Sequence, residues 1–362
     1  MWRTCATVPI LTCSGLILAR LGGPENRLAA MTASVGESVG TGPRGEAGVE
    51  FGIYLPQVAL EFESMVDRAL ECERLGLDSF WLFDHLYTPG APAAPSFEGW
   101  TLATALLART SRLRLGHLVT CNTFRHPALL AKMATTLDVI SGGRLEFGIG
   151  SGSYEQEHRE AGLPWGTPGE RADRLAEALD IITQMFEQPV TTYSGRYYDV
   201  HDLPNVPQPV QRPRPPVHIG GAGPKRTLPL VARYADVWNV PTYALDRLDE
   251  LNRAMDAECE RIGRDPASLR RSVEGVLAIA GAGQVDEVVE LARRRYGQPG
   301  YGLDAGGFAG TPARVADRIA QLVDAGFTSF IFITHDRAST ETLELLAGEV
   351  LPCFPRPGRP AT

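Results

Sequence analysis

The sequence predicts an α/β fold, a (β/α)8 TIM barrel with loop insertions, on three observations. From Phe51 onward, short apolar runs alternate with segments whose apolar residues recur every three or four positions, the pattern of parallel βα units. An eleven-residue stretch also recurs without a gap: Leu75-Gly76-Leu77-Asp78-Ser79-Phe80-Trp81-Leu82-Phe83-Asp84-His85 aligns on Ala325-Gly326-Phe327-Thr328-Ser329-Phe330-Ile331-Phe332-Ile333-Thr334-His335. Each copy stops a helix at glycine, runs a Ser-Phe strand and ends on a histidine. In a parallel barrel both histidines then fall on the carboxyl-end face, where barrel active sites form. The rival open doubly wound sheet usually carries GxGxxG after its first strand, and Pro56-Gln57 stands there instead.

The elements follow in order. Phe51–Leu55 reads as the first strand. Phe62, Met65, Val66, Ala69 and Leu70 then repeat at helical spacing, and Gly76 supplies a left-handed stop. Ser79–Phe83 is the second strand and Leu113–Val119 the third. A helix opens at Pro127, where proline's missing N–H costs nothing. Leu130, Met133, Leu137 and Ile140 form its apolar face, and Gly142-Gly143 end it. Leu145–Ile149 is the fourth strand, and Arg171–Phe186 is a helix with Leu175, Leu179, Ile182 and Phe186 on one side. Val217–Ile219, Asp236–Val240, Val273–Ala280 and Ser329–Thr334 complete eight strands.

Residues 1–50 are rich in Gly, Ser, Thr and Pro and read as a disordered leader, or as sequence upstream of a true start at Met31. Residues 51–351 form the barrel, and 352–362, with four prolines, a flexible tail. The apolar stretch Val8–Leu18 is about 11 residues long, too short to span a bilayer. It lacks the charged start and cleavage site of a signal peptide, and Cys13 leaves a lipoprotein reading open. With 35 Lys and Arg against 43 Asp and Glu, the net charge of −8 leaves no basic face for a nucleic acid. Six scattered cysteines without a CxxC pair argue against a disulfide framework or a zinc site, and fit a reducing cytoplasm. The expected partner is a small organic molecule, with no nucleic acid or membrane. The amphipathic helices admit a homodimer.

Chemistry-bearing residues cluster at predicted strand ends. Val217-His218-Ile219-Gly220-Gly221-Ala222-Gly223-Pro224-Lys225 runs from a strand through small residues into a helix. Glycine lets an anion approach the backbone, and the helix's free N–H groups favour phosphate; the competing reading is a tight turn that merely needs glycine. Gly148-Ile149-Gly150-Ser151-Gly152-Ser153-Tyr154 would let a flat ring lie against the barrel mouth, or serve structure alone. Asp84 beside His85 can fix the imidazole's tautomer and make it a general acid or base. His335 has no acidic residue before it, and Asp336 after it fits a helix start equally well. Glu155, Glu157, His158 and Glu160 read as a solvated loop or helix start rather than a metal site. Cys121 reads as a small buried residue, with no base near it in sequence. Arg125, Arg212, Arg214, Lys225 and Arg226 are expected on loops of the catalytic face, either as surface charge or for an anionic ligand tail.

These segments, with Phe51-Gly52-Ile53-Tyr54-Leu55-Pro56-Gln57, Asn122-Thr123-Phe124-Arg125-His126-Pro127, Leu137-Asp138-Val139-Ile140-Ser141-Gly142-Gly143-Arg144, Ala235-Asp236-Val237-Trp238-Asn239 and Gly310-Thr311-Pro312, follow one another in a recognisable order. From Phe51 to Leu351 the chain resembles the luciferase-like monooxygenase superfamily, and within it the coenzyme F420-dependent oxidoreductase branch. The resemblance implies a luciferase-like barrel that binds coenzyme F420, or alternatively FMN, at its carboxyl face, with hydride transfer between deazaflavin C5 and substrate. It implies that His85 lies close to the reactive carbon and that Asp84 contacts the ring system. Leu118 and Val119 match ring contacts often joined by a cis peptide, Ser151, Gly152, Ser153 and Gln156 match the next loop, and Gly220, Gly221, Ala222 and Gly223 match the phosphate cradle. Two departures stand out. Sugar-phosphate dehydrogenases of the branch carry a glutamate where this chain has Ser153 and a tryptophan where it has Pro89, so the resemblance does not extend to sugar-phosphate oxidation.

Three functions are therefore carried forward. The first is F420-dependent hydride exchange with an organic substrate. The second is an FMN-dependent monooxygenase using reduced FMN and oxygen, for which the Gly- and Pro-rich segments Leu86–Trp100 and Tyr296–Ala309 read either as lids that keep water out or as inert loops. The third is a flavin-binding protein without turnover.

Overall fold

A computed structural model describes residues 48–296 and 303–357. Most of the expected leader, the stretch 297–302 of one expected lid and the last five residues lie outside them. Eight parallel strands close on themselves: β1 (Glu50–Tyr54), β2 (Ser79–Leu82), β3 (Arg114–His117), β4 (Leu145–Gly150), β5 (Val217–Gly220), β6 (Val237–Val240), β7 (Arg270–Ile279) and β8 (Ser329–Thr334). Each pairs with the next, and β8 returns to β1 through Phe330↔Phe51 and Ile331↔Gly52. The fold is the expected luciferase-like (β/α)8 barrel, and its strands are the eight read from the sequence.

Differences are local. The third strand stops at His117, the Leu118–Val119 peptide is cis, and Thr120–Cys121 resumes as a short strand beside the end of β4. β7 starts at Arg270 rather than Val273, because its first residues pair with Val237–Val240. A hairpin of Val190–Ser194 and Asp199–Pro204, which the helix-and-strand alternation did not predict, lies outside the barrel. The barrel also reaches further at both ends than 51–351. Val49 donates its amide to the Pro355 carbonyl at 2.7 Å, Phe354 packs on Phe51 with ring centroids 5.7 Å apart, and Arg356 meets Asp78 at 2.5 Å. Residues 352–357 are therefore docked, since this aromatic and ionic anchorage offsets the chain entropy that a proline-rich composition alone leaves uncompensated.

Strand alternation sorts the side chains. Phe51, Ile53, Phe80, Leu82, Phe330 and Phe332 face the helices and form the core. The inward set is led by Trp81, whose indole takes room left by two glycines. A Cβ on Gly52 would stand 2.9 Å from Trp81 Nε1, and one on Gly116 2.8 Å from Cζ3. Trp81 Nε1 donates to Ser79 Oγ at 2.8 Å, so the buried donor is satisfied. Beside it lies an ionic group in which His218 Nε2 is 2.5 Å from Glu146 Oε2 and Arg114 bonds the other carboxylate oxygen. Burial alone would raise the Glu146 carboxyl, but the Arg114 guanidinium and His218 overcome it and hold it well below the usual carboxylate range. Among the described residues, no helix is long and apolar enough to cross a membrane.

Candidate active site at the carboxyl ends of the strands

His85 follows β2 and reaches the rim, but its partner is not its neighbour in sequence. The Asp84 carboxylate turns away and is held by Arg125 at 2.7 and 2.9 Å and by the Cys121 amide at 2.9 Å. Arg125 also bonds Glu98 at 2.6 Å, so it neutralises two carboxylates rather than waiting for an anionic ligand. The expectation that Asp84 sets the His85 tautomer is thereby corrected. That place belongs to Glu157, whose Oε2 lies 2.8 Å from His85 Nδ1. Its Oε1 accepts the amide of Leu86 and, at 3.4 Å, that of Tyr87. An ionised carboxylate can only accept, so Nδ1 carries the proton and Nε2 is the nitrogen free to act.

Glu157 was read as part of a solvated cluster. Within the helical turns Glu155–Glu160, residues 155 and 160 are exposed while Glu157 and His158 are fully buried. No local signal marks that division, because it depends on which side of a short helix meets the β2 loop. His158 points its Nε2 at Thr123 Oγ1, 2.6 Å away, and lies 3.6 Å from Cys121 Sγ. Cys121 thus has an imidazole near it, yet burial pushes its thiol up to about 11, which keeps it protonated and inert. No cluster of metal-ligating residues occurs among the described residues.

The turn after β5 has the geometry of an anion cradle. Gly221 sits at φ 121°, donates its amide to the Asn239 carbonyl at 3.1 Å and accepts Trp238 Nε1 at 2.8 Å, so the next strand pins the turn. A Cβ on Gly221 or Gly223 would come within 3.0 Å of the Thr227 side chain. The helix Thr227–Tyr234 starts there without a side-chain cap, its Thr227 and Leu228 amides closing on the Gly223 carbonyl at 3.0 and 3.1 Å. Gly150, Ser151, Gly220, Arg226 and Thr227 line a cavity of about 50 Å³ at this point. Arg226 brings positive charge to its edge while bonding Asp173 at 2.7 Å. A phosphate group fits this cavity in size and charge, with Ser151, Arg226 and Thr227 as the side chains of its lining that can donate to it.

Arg212 and Arg214 do not belong to this face. Both precede β5, and Arg214 bonds Glu187 at 2.8 Å and Asp236 at 3.2 Å at the opposite end of the barrel. Lys225 is exposed beside the cradle.

Between cradle and His85 stands an apolar wall. Leu118 and Val119 cluster with Trp81, Ile331 and Tyr54. The glycines of β4 are dictated by the neighbouring chain, since a Cβ on Gly148 would lie 2.0 Å from the His117 carbonyl oxygen and one on Gly150 2.7 Å from Val119 Cγ2. Gly152, at φ 89°, stands between Ser151 and Ser153 in the loop after β4. Gln156 lies on the exposed side of the next helix, bonded to Glu160 at 2.8 Å. His335 does end β8 on the same face as His85, as the repeat predicts, but it is buried and lies 3.8 Å from Asp336, whose carboxylate is taken by Ser339 and Thr342.

The luciferase-like monooxygenase family profile matches residues 44–301. The chain is 29% identical over 316 residues to an F420-dependent glucose-6-phosphate dehydrogenase of Microbacterium testaceum, covering 80% of this chain and 92% of that one. It is 27% identical over 320 residues to an F420-dependent hydroxymycolic acid dehydrogenase of Mycobacterium tuberculosis, covering 83% and 87%. Among solved structures, an F420-dependent secondary alcohol dehydrogenase in complex with an F420-acetone adduct superposes with a TM-score of 0.71 at 20% identity, over 84% of this chain and 98% of that one. That last likeness is one of fold.

Proposed function

We propose that this chain, which belongs to the luciferase-like monooxygenase family, is an oxidoreductase that exchanges a hydride between C5 of the deazaflavin coenzyme F420 and an organic substrate. The observation that carries the reading is the cradle at Gly220–Gly223, a phosphate-sized site on the same barrel rim as an imidazole whose free nitrogen is set by a buried carboxylate. The F420-dependent names of the similar dehydrogenases support the choice of deazaflavin over FMN. Bound deazaflavin supplies a two-electron carrier that reacts as a hydride donor or acceptor.

The chain's own residues divide the remaining work. Gly220, Gly221, Ala222 and Gly223, with no side chain larger than a methyl, would let the phosphate approach the turn, and Arg226 adds charge. Leu118 and Val119 wall the ring on one side, and Ser151, Gly152, Ser153 and Gln156 line the approach from β4. Asp84, neutralised by Arg125 and bonded to the Cys121 amide, keeps the His85 loop in place. His85 places or supplies a proton through Nε2. Ser153 offers a hydroxyl and no carboxylate, so the substrate is one other than a sugar phosphate.

Titration of the purified protein with oxidised F420 and with FMN, followed by fluorescence quenching, tests the reading. Micromolar affinity for F420 with negligible binding of FMN is expected. FMN binding alone would replace the reading with a flavin monooxygenase, and F420 bound without turnover of any substrate would make it a binding protein. His85→Ala is expected to slow turnover by ~10².

A further inference from the structure

We infer that Glu274 is a second catalytic group of this site, the carboxyl that exchanges a proton with the oxygen of an alcohol or carbonyl substrate. The inference rests on the hydride-transfer reading above. Along β7, Val273 and Leu277 belong to the core against the helices, so Glu274 points the other way, into the barrel. It is in register with Ile331, whose side chain stands in the apolar wall with Trp81 and Leu118. Two residues further on, Val276 packs with Ala292 of the helix Val285–Tyr296, so that helix roofs the same face of β7. Glu274 therefore faces the barrel interior beside the ring wall, beneath the helix that covers Val276.

Among the described residues, no hydrogen bond or ion pair engages its carboxyl. Ser272, its inward neighbour below, is taken by Asn239 Nδ2 at 2.9 Å, and Ile331 and Val276 are apolar. Tyr54 on β1, buried His335 after β8, and Arg295 and Tyr296 on the roof, bonded to the His335 and Thr334 carbonyls at 2.5 and 3.2 Å, are titratable or charged side chains of the surrounding elements. Burial alone moves the carboxyl, pushing it up to about 7, with no charged group contributing. The side chain is half-buried, so the mouth can deliver a ligand to it. A carboxyl facing the barrel interior beside the ring wall, titrating where acid and base forms coexist, has the properties that proton exchange at neutral pH requires.

The step balances in both directions. In oxidation the alcohol C–H bond breaks with its electron pair going to deazaflavin C5, the O–H proton passes to the Glu274 carboxylate, and the C=O bond forms. In reduction the protonated carboxyl returns that proton to the carbonyl oxygen as the hydride arrives at carbon. Oxidation then accelerates as pH rises through about 7, and reduction slows over the same interval.

Two measurements on the full chain test this. In protein labelled with [δ-13C]glutamate, one carboxyl resonance should titrate near 7 and disappear in Glu274→Gln; no resonance titrating above pH 6 would overturn the inference. Anaerobic reduction of F420 by 2-propanol, cyclohexanol and benzyl alcohol should be at least ~10²-fold slower in Glu274→Gln, lose its inflection near 7, and show unchanged F420 affinity. A wild-type rate and pH profile in that variant, or no wild-type turnover of any of the three alcohols or their carbonyl products, would also overturn it. Failure of the wild-type protein to bind F420 would instead bring down the hydride-transfer reading itself, and this inference with it.

Discussion

Replacing Glu157 tests how the site is built. Its carboxylate accepts His85 Nδ1 at 2.8 Å, the Leu86 amide, and the Tyr87 amide at a long 3.4 Å that contributes little. A hydrogen bond to a charged group nets about 1.5–3 kcal/mol, and the two good bonds differ in how well their donors recover. Leu86 is 47% exposed and its amide regains water, while the imidazole is only 22% exposed. Glu157→Ala should therefore cost about 3 kcal/mol, which for a chain of this size lowers Tm by roughly 4–5 °C. Glu157→Gln keeps the volume and one acceptor and should cost about half as much. Urea unfolding measures the stability, and 15N spectra of histidine-labelled protein read the ring. Wild-type His85 should carry its proton on Nδ1 and lose that preference in both variants. A wild-type imidazole protonated only on Nε2, or a Glu157→Gln variant that keeps both tautomer and stability, would refute the argument.

Three further outcomes are expected. Gly221→Ala forces a side chain into φ 121° with its Cβ 3.0 Å from Thr227, so F420 should bind ~10-fold or more weakly to a still-folded barrel; unchanged affinity by fluorescence titration would put the phosphate elsewhere. At pH 8, iodoacetamide should modify exposed Cys353 and spare Cys121, whose thiol burial holds at about 11; equal labelling on peptide mapping would mean that the loop opens. The Glu274 carboxyl ionises near 4.5 in the unfolded chain and near 7 in the folded one, so its contribution to stability is complete below 4.5 and lost as pH rises through 7. Wild type minus Glu274→Gln should accordingly show a stability difference that shrinks by about 2 kcal/mol between pH 5 and pH 8 in urea titrations, and a flat difference would place that carboxyl in water.

The sequence by itself determined the barrel, because its evidence is local and periodic. Apolar alternation and helical spacing are written residue by residue, so all eight strands, their direction and the face carrying His85, the Gly220 turn and His335 were legible before any contact was known. Glycine needs at Gly221 and Gly152 were legible for the same reason, since a left-handed φ is a property of one residue. Only the tertiary structure decided who meets whom. Glu157 reaches His85 across 72 residues, Arg125 takes Asp84 across 41, and Glu274 stands beside the apolar wall because β7 runs in register with Ile331. Arg212 and Arg214 went to the opposite end because they stand before their strand rather than after it, a distinction of a few residues that becomes the length of the barrel. Periodicity specifies which way a side chain points; its partner is specified only when the sheet closes and brings distant strand ends to one rim.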